Sequence, residues 1–227
     1  MQRSSAETGE KYLTKPTIIM CNPNALIYQQ MVTAPNAYWL NFFLKREINV
    51  ICWNYRGYGE SELGTFENMD PYKSKRDVEK VLAFGVNNLK LRGKFGVYGR
   101  SIGGIAACHL AQKFPDLIQT LIVDRSFTEI SGVATSKLKG SMTDVIFRLL
   151  TYGWQCKDAE NYNKSANCYK IVTCDPIDDT IDQFVNCCSG VARIQAKINY
   201  NTKEFRDFHE SLLYTCNYER QLYEKLD

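Results

Sequence analysis

Ser101 is the residue of this 227-residue chain best set up by its neighbours for covalent chemistry. It lies in Gly99-Arg100-Ser101-Ile102-Gly103, followed by Gly104, between a stretch that reads as a strand and one that reads as a helix. Glycines on both sides allow a sharp strand-to-helix turn, which holds the serine in strained backbone geometry with its hydroxyl exposed. The N-terminus of the following helix adds open N–H groups and a partial positive charge. A serine hydroxyl alone is a weak nucleophile, so it needs a base, and the base needs an acid to orient it. Without those partners the same letters describe a glycine-rich turn whose serine caps a helix.

Two histidines are available as the base. His109 lies eight residues along the helix from Ser101, about 12 Å at 1.5 Å per residue, so it reads as a satisfied, half-buried helix histidine. His209 is the remaining candidate. Its surroundings, Arg206-Asp207-Phe208-His209-Glu210, contain no glycine-rich loop, and a surface helix histidine is the competing reading.

The elements that must position these residues alternate along the chain. Thr17–Cys21, Ile48–Asn54, Lys94–Tyr98, Thr120–Asp124 and Tyr169–Cys174 read as strands, with Val191–Asn199 a weaker sixth. Between them Pro35–Arg46, Tyr72–Leu89 and Ile102–Lys113 carry apolar residues at helical spacing. This alternation predicts an α/β fold with a mostly parallel sheet of about six strands flanked by helices, in one domain spanning 1–227. Residues 132–167 interrupt the rhythm and read as a helical cap insertion. Within it Val145, Ile146, Leu149, Leu150 and Trp154 form an apolar side, with Lys137, Lys139 and Arg148 elsewhere. That stretch is either a lid that touches lipid or a helix packed on the sheet.

Several turns, in order, resemble those of the α/β-hydrolase superfamily, in particular its phosphatidylserine-lipase-like branch. Cys21-Asn22-Pro23-Asn24-Ala25 is similar to the His-Gly-Asn-Ala-like turn, with Pro23 where glycine is common. Asn54-Tyr55-Arg56-Gly57-Tyr58-Gly59-Glu60-Ser61 resembles the Arg-Gly-x-Gly-x-Ser turn, and Asp124-Arg125-Ser126-Phe127 the Asp-x-Ser-Phe turn. The resemblance implies a triad of Ser101, Asp178 and His209, in the superfamily's Ser…Asp…His order. Asp179, its neighbour, and Asp124, at a strand end, compete with Asp178 for the acid. The branch itself carries its histidine later in the chain. The resemblance also implies an oxyanion hole from the backbone N–H groups of Asn24 and Ile102.

Two functions follow as expectations. One is a serine hydrolase that cleaves a carboxylic ester or thioester through an acyl-enzyme, acting on a small-molecule or lipid acyl ester and needing no metal or cofactor. The other is a catalytically inert hydrolase-fold subunit of a larger assembly. Met1 to Pro16 is too short for the hairpin with which such folds begin. The Ile48–Asn54 strand edge is therefore expected to dock another polypeptide, unless the protein is a trimmed member of its family.

Composition bounds the rest. With 28 basic and 25 acidic residues the net charge is +3, and no basic tract points to nucleic acid. The 44% hydrophobic and 23% charged content suits a globular protein. The nine cysteines are odd in number and form no Cys-x-x-Cys pair, which reads as free thiols in a reducing compartment. With no signal-like, spanning or lipidation segment, the expected location is intracellular and cytoplasmic, with membrane-surface contact through the cap left open.

Overall fold

The computed structural model describes residues 11–33, 37–61, 71–130, 161–162, 164–165, 168–174 and 203–204, with the single residues 133, 156, 181 and 187. The strands are β1 (Thr17–Cys21), β2 (Asn49–Cys52), β3 (Phe95–Arg100), β4 (Ile118–Asp124), β5 (Tyr169–Cys174) and β6 (Lys203–Glu204). The helices are α1 (Tyr28–Met31), α2 (Tyr38–Lys45), α3 (Pro71–Asn87) and α4 (Gly103–Lys113). The strands form one sheet in the order β2-β1-β3-β4-β5-β6. Every pairing is parallel.

The sheet is central because its inner strands are apolar on both sides. In β1, Ile18 and Met20 join one core with Leu40, Phe42 and Phe43 of α2. Ile19 and Cys21 join the opposite core with Val78 and Leu82 of α3 and Ala106, Ala107 and Leu110 of α4. A strand covered on both faces reads as a continuous hydrophobic run, which is how Thr17–Cys21 reads. Burying one side chain such as Ile19 or Val97 contributes about 1.5–3 kcal/mol. In α3, Val78 and Leu82 fall one turn apart on the buried face, and Pro71 suits its first turn because it has no N–H to leave unsatisfied.

The expected strands and helices appear with small shifts. β3 runs to Arg100, so Gly99 lies within the strand, and the turn begins at Ser101 itself. The expected sixth strand, 191–199, lies outside the described residues. The sixth strand seen is β6, where Thr173 pairs with Lys203 and Cys174 with Glu204. Of the cap segment, residues 133, 156, 161, 162, 164 and 165 are described. Cys156 is fully buried with Ile105, Phe127 and Ile181, and Tyr162 is buried in the core on the α4 side of the sheet. The apolar side at 145–154 and its flanking basic residues lie outside the described residues. No helix among the described residues is long and apolar enough to cross a membrane.

Because all strands are parallel, their C-terminal ends share one edge of the sheet. The chain runs from β1 outward to β2, then returns to place β3 on the other side of β1. Ligands of open α/β sheets bind at such a reversal, beyond the strand ends. The turns after β1 and β3, carrying Asn24 and Ser101, both open there.

Candidate active site

Ser101 follows β3 directly and has φ +52°, left-handed backbone in a residue that has a side chain. Such geometry is costly and persists only where the surroundings impose it. Here two glycines do so by letting backbones approach. A Cβ on Gly103 would stand 2.1 Å from the Cys21 carbonyl oxygen, and one on Gly99 would stand 2.4 Å from the Gly103 carbonyl oxygen. The elbow is thereby pressed between the end of β1 and its own helix.

Hydrogen bonds fix the Ser101 backbone on both sides. Its N–H donates to the Asp124 carbonyl at 3.1 Å. Its carbonyl accepts from the Ser126 hydroxyl at 2.7 Å and from the Gly104 N–H at 3.0 Å. No side chain caps α4, and the Ile102 N–H donates to no other group among the described residues. The Asn24 N–H is likewise open among them. The turn that holds Asn24 bends at Ala25, with φ +62°, so Pro23 is accommodated before the bend. It is braced by the neighbouring turn. The Tyr55 hydroxyl donates to the Asn22 carbonyl at 2.8 Å, the Asn22 side-chain amide donates to the Trp53 carbonyl, and the Tyr58 hydroxyl donates to Asn24 Oδ1. Arg56 of that turn donates to Asp77 of α3 at 2.8 Å.

Asp124, a candidate acid, is fully buried, and both its oxygens are taken. Oδ1 accepts from Arg125 Nε at 2.8 Å and Thr173 Oγ1 at 2.9 Å. Oδ2 accepts from the Tyr98 hydroxyl at 2.7 Å and Arg125 Nη2 at 3.1 Å, with Arg100 4.0 Å away. Burial alone would push its carboxyl up, but the two guanidinium groups and the hydrogen bonds outweigh that and hold it down at about 2. Burial, followed by the Asp124 charge, pushes the Tyr98 phenol well above its usual value, so it remains a donor. Asp124 thus has no oxygen left to orient a histidine, which removes it from the competition for the triad acid. Asp178, Asp179 and His209 lie outside the described residues.

His109 sits on α4, and its Nε2 is 2.6 Å from Glu79 Oε1 on α3, so it is the satisfied helix histidine the sequence suggests. The seven described cysteines are free thiols. Burial pushes Cys21 up to about 12 and Cys52 to about 11, so neither is a rival nucleophile. Among the described residues no group of three or more His, Cys, Asp or Glu is placed to hold a metal ion.

Sequence reasoning missed the buried Asp124 cluster and the left-handed Arg125, at φ +45°. The signal was present in the Asp124-Arg125-Ser126-Phe127 turn, in which the Asp124 carbonyl and the Ser126 hydroxyl both bond the Ser101 backbone. Beside the elbow an apolar wall gathers Ile105, Phe127, Cys156 and Ile181, with Ile102 against it.

No protein-family model matches the chain. It is 30% identical over 121 residues to an uncharacterised membrane protein of Saccharomyces cerevisiae, a match covering 53% of this chain and 39% of that protein. It is 30% identical over 117 residues to the protein bem46 of Schizosaccharomyces pombe, covering 52% and 38%. An α/β-hydrolase domain-containing protein of Arabidopsis thaliana is 32% identical over 95 residues, covering 40% and 28%. The chain therefore spans well under half the length of the curated relatives it matches. Among solved structures, an esterase of Pyrococcus furiosus superposes with a TM-score of 0.67 at 13% identity, covering 95% of this chain and 82% of that one. A Butyrivibrio proteoclasticus protein with ferulic acid bound gives 0.66 at 14% identity, covering 94% and 86%. The sheet order, the left-handed serine after β3 and the likeness to these solved structures together show that the chain has the α/β-hydrolase fold.

Proposed function

We propose that the protein is a serine hydrolase of carboxylic esters. The observation that carries this reading is Ser101 at φ +52°, directly after β3 at the C-terminal edge of the sheet and buried to 9% exposure rather than exposed as the sequence suggests, with the open Ile102 N–H behind it. In the proposed reaction His209 takes the Ser101 proton as Oγ attacks the ester carbonyl carbon. Asp178 orients the imidazole, and the N–H groups of Ile102 and Asn24 receive the oxyanion. The alcohol leaves with the proton from His209. Water, deprotonated by the same histidine, then releases the acid and restores Ser101.

Strand geometry supports the distant members. β5 lies two strands from β3 and β6 three, about 10 and 14 Å away at ~4.8 Å per strand. Asp178 follows the end of β5 by four residues and His209 follows β6 by five, lengths that reach at most ~14 and ~17 Å. These chain lengths exceed the spans from β5 and β6 to β3, which supports Asp178 and His209 as partners of Ser101. The substrate in this reading is a lipid or other apolar acyl ester, including a thioester, for which the half-buried Ile102 beside Ser101 supplies an apolar neighbour.

The test is labelling with a fluorophosphonate probe, beside Ser101→Ala and His209→Ala. Labelling of the wild type that vanishes in both variants is expected. Labelling that survives His209→Ala would mean another base.

One observation favours the second reading, an inert subunit docked to another polypeptide. Among the described residues β2 pairs with β1 alone, which leaves its other edge for a partner strand. A wild type that takes up no probe supports that reading.

A further inference from the structure

The Ser101 carbonyl and the Ile102 N–H belong to one peptide group. A trans peptide is planar, so its C=O and N–H point in opposite directions. Whatever fixes the carbonyl therefore aims the N–H. The Ser126 hydroxyl, fully buried, donates to this carbonyl at 2.7 Å, and the Gly104 N–H donates to it at 3.0 Å. Hydrogen bonds received at the carbonyl also polarise the peptide, which makes its N–H a stronger donor in a site of low dielectric.

Ser126 is itself held in place. Arg125, just before it, is left-handed at φ +45°, with its N–H donating to the Thr173 carbonyl at 3.0 Å and its guanidinium clamped on Asp124. The Ser126 carbonyl accepts the Cys187 N–H at 2.8 Å. Two strained turns, after β3 and after β4, thus face each other, and the Ser126 hydroxyl spans them.

We propose that Ser126 is a positioning residue for the oxyanion hole: it aims and polarises the Ile102 N–H through the Ser101 carbonyl and touches no reacting atom. The proposal rests on reading Ser101 as the nucleophile. Its role belongs to the transition state, because only there does full negative charge develop opposite that N–H.

The experiment compares Ser126→Ala, the nearly isosteric Ser126→Cys and Thr173→Val, each with p-nitrophenyl butyrate as substrate and an alkyl boronic acid as transition-state mimic. Thr173→Val is the control, since it also deletes a buried hydroxyl hydrogen bond at the same strand ends, to the Asp124 side chain. Removing an oxyanion donor outright lowers kcat by about 10²–10³, and misaiming one is expected to lower it about 10- to 100-fold. That loss should appear in both Ser126 variants with KM within about twofold, matched by an equal loss of boronate affinity. Thr173→Val should lose thermal stability while keeping kcat and boronate affinity. Equal losses in Thr173→Val and Ser126→Cys, or unchanged turnover in Ser126→Cys, would overturn the proposal. Should Ser126→Ala fail to fold, Ser126→Cys decides alone. A wild type unlabelled by fluorophosphonate at Ser101 removes the hydrolase reading and the proposal with it. A labelled wild type with an unaffected Ser126→Cys removes the proposal only.

Discussion

Two ionic clusters in this molecule use similar residues and do different work. Beneath the elbow, Asp124 is wholly buried among Arg125, Arg100, Tyr98 and Thr173. On the outer faces of α3 and α4, Glu79 meets His109 at 2.6 Å and Lys113 at 2.7 Å, with side chains 24%, 18% and 49% exposed. Water and salt screen the outer cluster, so it adds little beyond joining two helices. The inner one has no water to fall back on, so each of its groups must find a protein partner. It finds them at strand ends, which fixes the backbone of β3, β4 and β5 next to Ser101. A carboxylate thus ties strand ends together in the core in one place and decorates a surface in the other.

The sharpest way to break this contrast is Asp124→Ala. It strands the Arg125 and Arg100 guanidinium groups in the core and is expected to destabilise the fold by about 3–5 kcal/mol, read by urea denaturation. A loss under about 1 kcal/mol would mean that water reaches the cluster.

Acid offers a second test. The Asp124 carboxyl is held at about 2, below its ordinary 3.8, so the unfolded chain binds a proton first as the pH falls. Its contribution to stability is therefore complete above about pH 4 and is lost as the pH drops through about 2. Stability measured across that window should fall less steeply in Asp124→Asn than in the wild type.

The smallest effect is expected at the outer cluster. Glu79→Gln should cost about 0–1 kcal/mol, and less still at high salt. A loss approaching that of Asp124→Ala would erase the distinction between the two clusters.

Much of the architecture was legible because it depends on local pattern. Thr17–Cys21 and Tyr169–Cys174 were read at their observed bounds, since buried parallel strands need short, continuous runs dominated by apolar and β-branched residues. The elbow was legible because glycines flank a serine between a strand and a helix. β6 was harder to read because its described pairing covers two residues, too few to carry a period. Asp124 stood among the candidate acids because a strand-end carboxylate looks the same in sequence whether its oxygens are open or filled. Its four hydrogen bonds come from Tyr98, Arg125 and Thr173, two of which lie far from it along the chain.

The sequence by itself determined the alternation of strands and helices, the glycines that permit a sharp turn, and the serine within it. These follow from the steric and hydrophobic preferences of neighbouring residues. Only the tertiary structure decided that Ser101 is left-handed, that Asp124 serves the fold, and that Ser126 reaches across to the Ser101 carbonyl. Those features depend on β1, β3, β4 and β5 lying side by side, and strand order is set by the packing of whole faces, which no short window of sequence contains.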